Sequence, residues 1–414
     1  MGLKKIVLPY GSDTEVCHGG IPHFLRMVAD GFLAIGYDAV VCPFPELIKH
    51  LDSADALLLM NGVVGAKLPS GTYFYDGCGV PIVNFIIDPP RIHHENLSVP
   101  LSRYYCVCLA EEHADYIRET YPHIKDVCVG YLTPGPVAEE ELIPFGSRKY
   151  DLIFTGNYTD YEEAGRQMDS LPAVLKEAAK KTLKEAFDHP MIPTHELLRR
   201  SFAGSPVLPE TKLCIGETDR GGGQSAPDVS ARIPGSDAAG DMPAETEAAL
   251  LNMVENYLHG FYRKELISYL TENEIDVYVF GRFWERFEGA NSPFFHAMGP
   301  IGYEASLRAA ADSKMVLNSM PLFKDGIHDR IPTAMQRGSI IVTNTSRVLE
   351  RDLDGRTDSV VYDLTDYKEK LADRLKEILG DPVLGAQIAK TGYEKAKGLY
   401  SMETVARSIA GMLF

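Results

Sequence analysis

Lys4-Lys5-Ile6-Val7-Leu8-Pro9 is a short apolar run, and after a polar loop the pair Gly19-Gly20 opens a segment whose apolar positions are Ile21, Phe24, Leu25, Val28, Ala29, Phe32 and Leu33. The first run reads as a strand, and the spacing of the second is helical. Gly36 supplies a C-terminal stop, and Asp38 to Cys42 returns to a β-rich run. Strand, helix and strand in this order make a βαβ unit, whose two strands lie parallel.

Working outward, further strands are expected at 56–60, 81–87, 104–109 and 126–129, so the first half is α/β with a mainly parallel sheet. Residues 133–147 shift to Pro, Gly and Glu, and a new strand at 150–155 follows, ending in Gly156. The expected boundary is therefore 147, with a Rossmann-like domain over 1–147 and a second over 148–401. Strands at 276–280, 315–317, 339–343 and 359–362 alternate with helices, so the second half is also doubly wound. Residues 203–245, rich in Gly, Pro, Ser and Asp, read as a mobile insertion within it.

The chain has 414 residues, of which 45% are apolar and 24% charged, an ordinary globular composition. Its net charge of −17 argues against nucleic acid as a partner, since that binding draws on clustered Lys and Arg. No apolar stretch approaches the roughly 20 residues of a spanning helix. The first 40 residues carry no pattern of a targeting signal, and seven cysteines, an odd number, favour a reducing cytoplasm over a disulfide framework. Cys106 and Cys108 read as core packing, because no second pair stands at metal-ligand spacing. No metal site and no cofactor are expected. The lysines at 176, 180, 181 and 184 read as a solvated helix face.

In open α/β sheets, ligands bind beyond the carboxyl ends of strands, where helix N-termini favour phosphate. His18-Gly19-Gly20 would let a phosphate or sugar approach the backbone, and Thr155-Gly156-Asn157 and Phe280-Gly281-Arg282 end strands in the second half. Each is equally an ordinary turn if taken singly. The richest stretch is Ser313 to Gly338. A buried strand runs into a loop with Lys324, Asp325, Gly326, His328 and Arg330, then into a helix with Asp329 as N-cap and Pro332 in its first turn. Cations beside a helix N-terminus suit a diphosphate, and an Arg330–Asp329 structural salt bridge is the competing reading. On the other half, Asp88 ends an apolar strand and is held by Pro89-Pro90, which aims it into a cleft. It could orient an acceptor hydroxyl or the donor sugar. His93 and His94 read as surface loop histidines.

Gly19-Gly20 with its helix, Gly36-Tyr37-Asp38-Ala39-Val40, and Ala334-Met335-Gln336-Arg337-Gly338-Ser339-Ile340-Ile341-Val342 together resemble the GT-B retaining glycosyltransferases. Within these the chain is most similar to the enzymes related to the spore maturation protein CgeB, chiefly over 314–346. The resemblance implies two Rossmann-like domains facing a cleft, with the acceptor held by the first and a nucleotide-sugar donor, as co-substrate, by the second. It implies a terminal helix, 402–414, crossing back to the first domain, and metal-independent chemistry in which Lys324, Arg330 and Arg282 offset the diphosphate charge. Related enzymes often carry two acidic residues eight positions apart. The matching positions here are Asp325 and Thr333, so one carboxylate has become a hydroxyl.

The expectation is a transferase moving a sugar from a nucleotide-diphosphate donor to an acceptor hydroxyl with retention. Asp88, Lys324 and Arg330 are the expected catalytic residues. Gly19, Gly20, Gly156, Asn157, Gly281, Arg282, Asp325, Gly326, His328 and Thr333 are the expected donor contacts. The acceptor, whether glycan, protein or small molecule, is not written in the sequence. A nucleotide-sugar epimerase and a non-catalytic sugar-nucleotide or glycan-binding protein share the architecture, and fold alone does not separate them.

Overall fold

The computed structural model describes residues 3–11, 19–203 and 242–414; His18 and all but the ends of the expected insertion lie outside the described residues. The strands are β1 (Lys5–Tyr10), β2 (Asp38–Pro43), β3 (Ala56–Met60), β4 (Ile82–Phe85), β5 (Tyr104–Cys108), β6 (Val127–Val129), β7 (Tyr150–Thr155), β8 (Val277–Phe280), β9 (Phe295–Ala297), β10 (Ser313–Asn318), β11 (Ile340–Asn344) and β12 (Val360–Tyr362). They form two six-stranded sheets, ordered β2-β1-β3-β4-β5-β6 and β12-β11-β10-β7-β8-β9, and every pairing is parallel. This is the expected α/β class with two doubly wound halves.

Both faces of these sheets are covered, which is why β3 (Ala-Leu-Leu-Leu-Met) and β11 (Ile-Ile-Val-Thr-Asn) are buried at every position. β9 was not anticipated. Its three residues lie between Ser292-Pro293 and Gly299-Pro300, too short to show a period. The β7–β8 connection is longer than a single crossover helix. It carries Tyr161–Asp169, Ala173–Asp188, Thr194–Phe202 and the 29-residue helix Ala244–Glu272. Leu175, Leu197, Leu250 and Val254 of these helices join one apolar cluster with Tyr104, Tyr116 and Ile117 of the first half.

The two halves meet where the carboxyl ends of their strands converge. Ala110, just past β5, forms an antiparallel bridge with Gly326, in the loop after β10. The Glu112 carboxylate accepts the backbone N–H groups of Lys324 at 2.5 Å and Asp325 at 2.9 Å. Burial pushes the Glu112 carboxyl up, against the pull of those two donors. At the far end of the chain, helix Met402–Leu413 leads to Phe414, whose ring lies 5.9 Å from Tyr37 and 4.7 Å beneath the Lys4 ammonium.

His113 is buried in the same junction, 7% exposed, with Nε2 3.2 Å from the Leu322 carbonyl and Nδ1 without a partner. That contact assigns the proton to Nε2, and burial pulls the pKa from 6.5 to about 4. His195, packed on Tyr116, is likewise pulled to about 4 by burial and then by Arg199. A histidine whose folded pKa is depressed contributes stability that is complete above its unfolded value of 6.5 and is lost as pH falls towards 4. Each shift is worth roughly 3 kcal/mol at its limit. The melting temperature should therefore fall between pH 6.5 and 4, and His113→Phe should make that fall shallower. Parallel melting curves for the two proteins across this range would remove His113 as a cause.

Candidate functional site

Arg330 stands at the point where the second sheet reverses its order, between β7 and β10. Its Nε donates to Thr155 Oγ1 at 3.1 Å, at the end of β7, and one terminal nitrogen donates to Asn318 Oδ1 at 3.1 Å, at the end of β10. Such a switch point is where doubly wound sheets take their ligands. Asp329 occupies the N-cap position of helix Arg330–Met335, but its side chain makes no capping bond. It pairs instead with His328 Nδ1, 2.5 Å away. The Arg330–Asp329 salt bridge read as an alternative from sequence is therefore not formed. Burial lowers the Arg330 pKa, with Asp329 opposing it.

A second arginine, not singled out from sequence, reaches the same place. Arg263 projects from the long helix Ala244–Glu272, is 8% exposed, and donates to the Asn157 carbonyl at 2.9 Å. Its guanidinium carbon lies 5.3 Å from the centre of the Phe154 ring, and that of Arg330 lies 5.5 Å from the same ring. Burial, and then Arg330, drive the Arg263 pKa well down. His259, one turn earlier, and His328 are held neutral by burial and by these cations. The signal available in the sequence was Glu255, His259 and Arg263, spaced by four on an otherwise largely apolar helix and so sharing a face.

On the first-half side, Asn61 follows β3 in a left-handed conformation with φ 47°. Its amide donates to Asp88 Oδ2 at 2.8 Å and its carbonyl accepts from Ile87 N at 3.0 Å, which fixes the turn after β4. The walls of the cleft push the half-exposed Asp88 carboxyl up, but His93, Asn61 and Arg91 outweigh them and hold it below the usual range. His93 is not a surface histidine: it is 7% exposed, with Nε2 3.8 Å from Asp88 Oδ2. His94 is drawn in too, its Nδ1 2.9 Å from the Tyr121 hydroxyl. Helix formation in residues 90–97 turns both rings inward, which a loop reading could not show. Arg91 meets Glu255 of the long helix at 2.9 Å, so that helix touches both halves.

The other expected residues divide by place. Gly281 is pressed on the second-half turn: a Cβ there would stand 2.1 Å from the Gly156 carbonyl oxygen. Asn157 Oδ1 accepts the Arg282 N–H at 2.9 Å, and Trp284 Nε1 donates to the Gly156 carbonyl at 2.8 Å, so these four residues brace one another beside Arg263. Lys324, 5% exposed, donates its ammonium to the Pro321 carbonyl, and burial pulls its pKa to about 8. Lys324, Asp325 and Gly326 thus sit where the halves dock, with Asp325 Oδ2 3.8 Å from Arg347. Thr333 is buried with its hydroxyl unpartnered. Gly19 has φ 78°, and Gly20 begins helix Ile21–Ala34, where the His23 ring lies 5.5 Å from Tyr303 of the second half.

No curated protein matches the chain by sequence. Among solved structures it is similar to Anabaena HepE in complex with UDP and glucose, at 10% identity and TM-score 0.49, covering 100% of this chain and 99% of that one. It is similar to a glycosyltransferase from Rickettsia africae at 8% identity and TM-score 0.45, covering 100% and 98%. AviGT4, a glycosyltransferase of avilamycin A biosynthesis, gives 13% identity and TM-score 0.47, covering 99% and 97%. Residues 263–411, which run from Arg263 through Arg330 to the terminal helix, match the model of the family described as glycosyl transferase-like.

Proposed function

We propose that the protein is a glycosyltransferase of the GT-B type that moves a sugar from a nucleoside-diphosphate donor to an acceptor hydroxyl, with retention and without a metal ion, in the cytoplasm. The observation that carries this reading is Arg330, a partly buried cation at the switch point of the second sheet whose hydrogen-bond partners, Thr155 and Asn318, are both neutral. A partly desolvated cation with no ion pair of its own is well suited to a bound diphosphate, which supplies a direct counter-charge where Asp329 acts only at longer range. The family match over 263–411 supports the transferase class. The resemblance of the 314–346 block to the CgeB-related enzymes supports retention.

In the proposed reaction the bond from the anomeric carbon to the diphosphate breaks, and its electron pair stays with the diphosphate oxygen. Arg330 offsets the charge that gathers there, the task of a preorganised cation in a water-poor site. The acceptor oxygen bonds to the same face of the carbon, and its proton passes to the departing diphosphate. Asp88, ionised and half-exposed, orients the acceptor hydroxyl or a sugar hydroxyl. The ribose contact made by a carboxylate in relatives is assigned here to Thr333, whose hydroxyl has no partner in the protein. Lys324 reaches the diphosphate only by giving up the Pro321 carbonyl, and until then holds its loop.

The test is a panel of nucleotide sugars, following release of nucleoside diphosphate and the anomeric configuration of the product by NMR. The expected result is release from at least one donor, with the starting configuration kept. Binding of a donor without release would make the protein a binding module, and conversion of the donor to its epimer would make it an epimerase.

A further inference from the structure

The long helix Ala244–Glu272 presents Glu255, His259 and Arg263 at intervals of four, on one face. Glu255 is spent on Arg91 of the first half. Arg263 has no such partner. Among the described residues neither Arg263 nor Arg330 has a carboxylate within ion-pair distance; Asp329, adjacent in sequence to Arg330, hydrogen-bonds His328 and acts on Arg330 only at longer range. Arg263 Nε is buried with no hydrogen-bond partner, and so is the hydroxyl of Ser319, next to the Asn318 that holds Arg330. Two guanidinium groups that share the Phe154 ring, Arg263 buried and Arg330 partly buried, repel each other. Arginines are seldom buried unless paired, and Arg263 keeps an unspent donor beside the ring it shares with Arg330.

We infer that Arg263 is the second arm of an anion clamp, closing with Arg330 on the phosphate groups of the bound nucleoside diphosphate. This rests on the donor reading above and adds to it a residue from the inserted helices rather than from a strand end. Two planar forks can engage two phosphates, each with paired N–H groups, where a single arginine engages one. The competing role for Arg263 is a staple on the Asn157 carbonyl.

Calorimetric titration with inorganic pyrophosphate and with UDP, beside melting curves, separates these roles in wild type, Arg263→Ala, Arg263→Lys and Arg330→Ala. Arg263→Ala should weaken binding of either probe about 10- to 100-fold, the range for losing charge-assisted hydrogen bonds. Arg263→Lys should lose less than the alanine variant. Melting of the ligand-free alanine variant should be unchanged or raised, because a repulsion is removed. Lowered melting with wild-type affinity would make Arg263 a staple and overturn the clamp. Loss of binding in Arg330→Ala alone would leave the donor reading standing without the clamp, and wild type binding neither probe would remove both. If Arg263→Ala does not fold, wild-type affinity in Arg263→Lys is the overturning result.

Discussion

Arg330→Ala should lower turnover by about 10²- to 10³-fold, the usual loss when one preorganised group facing developing charge is removed. Melting of the ligand-free protein should hardly change. The variant loses hydrogen bonds to Thr155 and Asn318, which costs about 1 kcal/mol each. It also removes a desolvated cation that faces Arg263, and relief of that penalty is of the same order. Arg330→Lys should recover part of the rate, since an ammonium keeps the charge but not the planar fork. Steady-state release of nucleoside diphosphate and melting temperature, taken on the same preparations, check this. Activity that falls only in step with melting would make Arg330 a structural residue.

Gly326→Ala is expected to do the most damage to the docking of the two halves. A Cβ at Gly326 would stand 2.2 Å from the Leu109 carbonyl oxygen and 2.6 Å from the Ala110 Cβ, both on the other half. Backbone on both sides leaves no flexible side chain to give way. Overpacking of this kind costs about 1–3 kcal/mol, and here it also breaks the bridge to Ala110 and the two bonds to Glu112. Because misplacement by about 1 Å can cost 10²-fold in rate, turnover should drop by at least tenfold even where the variant stays folded. Gly146→Ala, where an added Cβ meets nothing within 4 Å, is the control. Equal melting and turnover in the two variants would show that the 324–326 loop does not register the halves.

Much of this architecture was legible because parallel strands buried on both faces are written as apolar runs. β3, β7 and β11 stand out from the sequence in that way, whereas β9 has only three residues at a sheet edge. Asp88 and Arg330 were singled out by one rule, that ligands gather past strand ends. Arg263 escaped it because it lies inside a helix, and only folding brings that helix against the turn after β7. Gly281 and Gly326 illustrate the converse. Both were expected as donor contacts, and protein backbone stands where a Cβ would lie at each; a sequence does not say which neighbour will occupy the space a missing Cβ leaves. The histidines at 93 and 94 were misplaced for a related reason, since a short helix turns a loop segment inward.

The most direct test is a crystal structure of the protein with the nucleoside diphosphate that binds it most tightly. The account predicts phosphate oxygens within about 3 Å of the guanidinium groups of both Arg330 and Arg263, beside Phe154 at the ends of β7 and β10. A diphosphate bound elsewhere, with both arginines keeping only the protein contacts they have now, would contradict it.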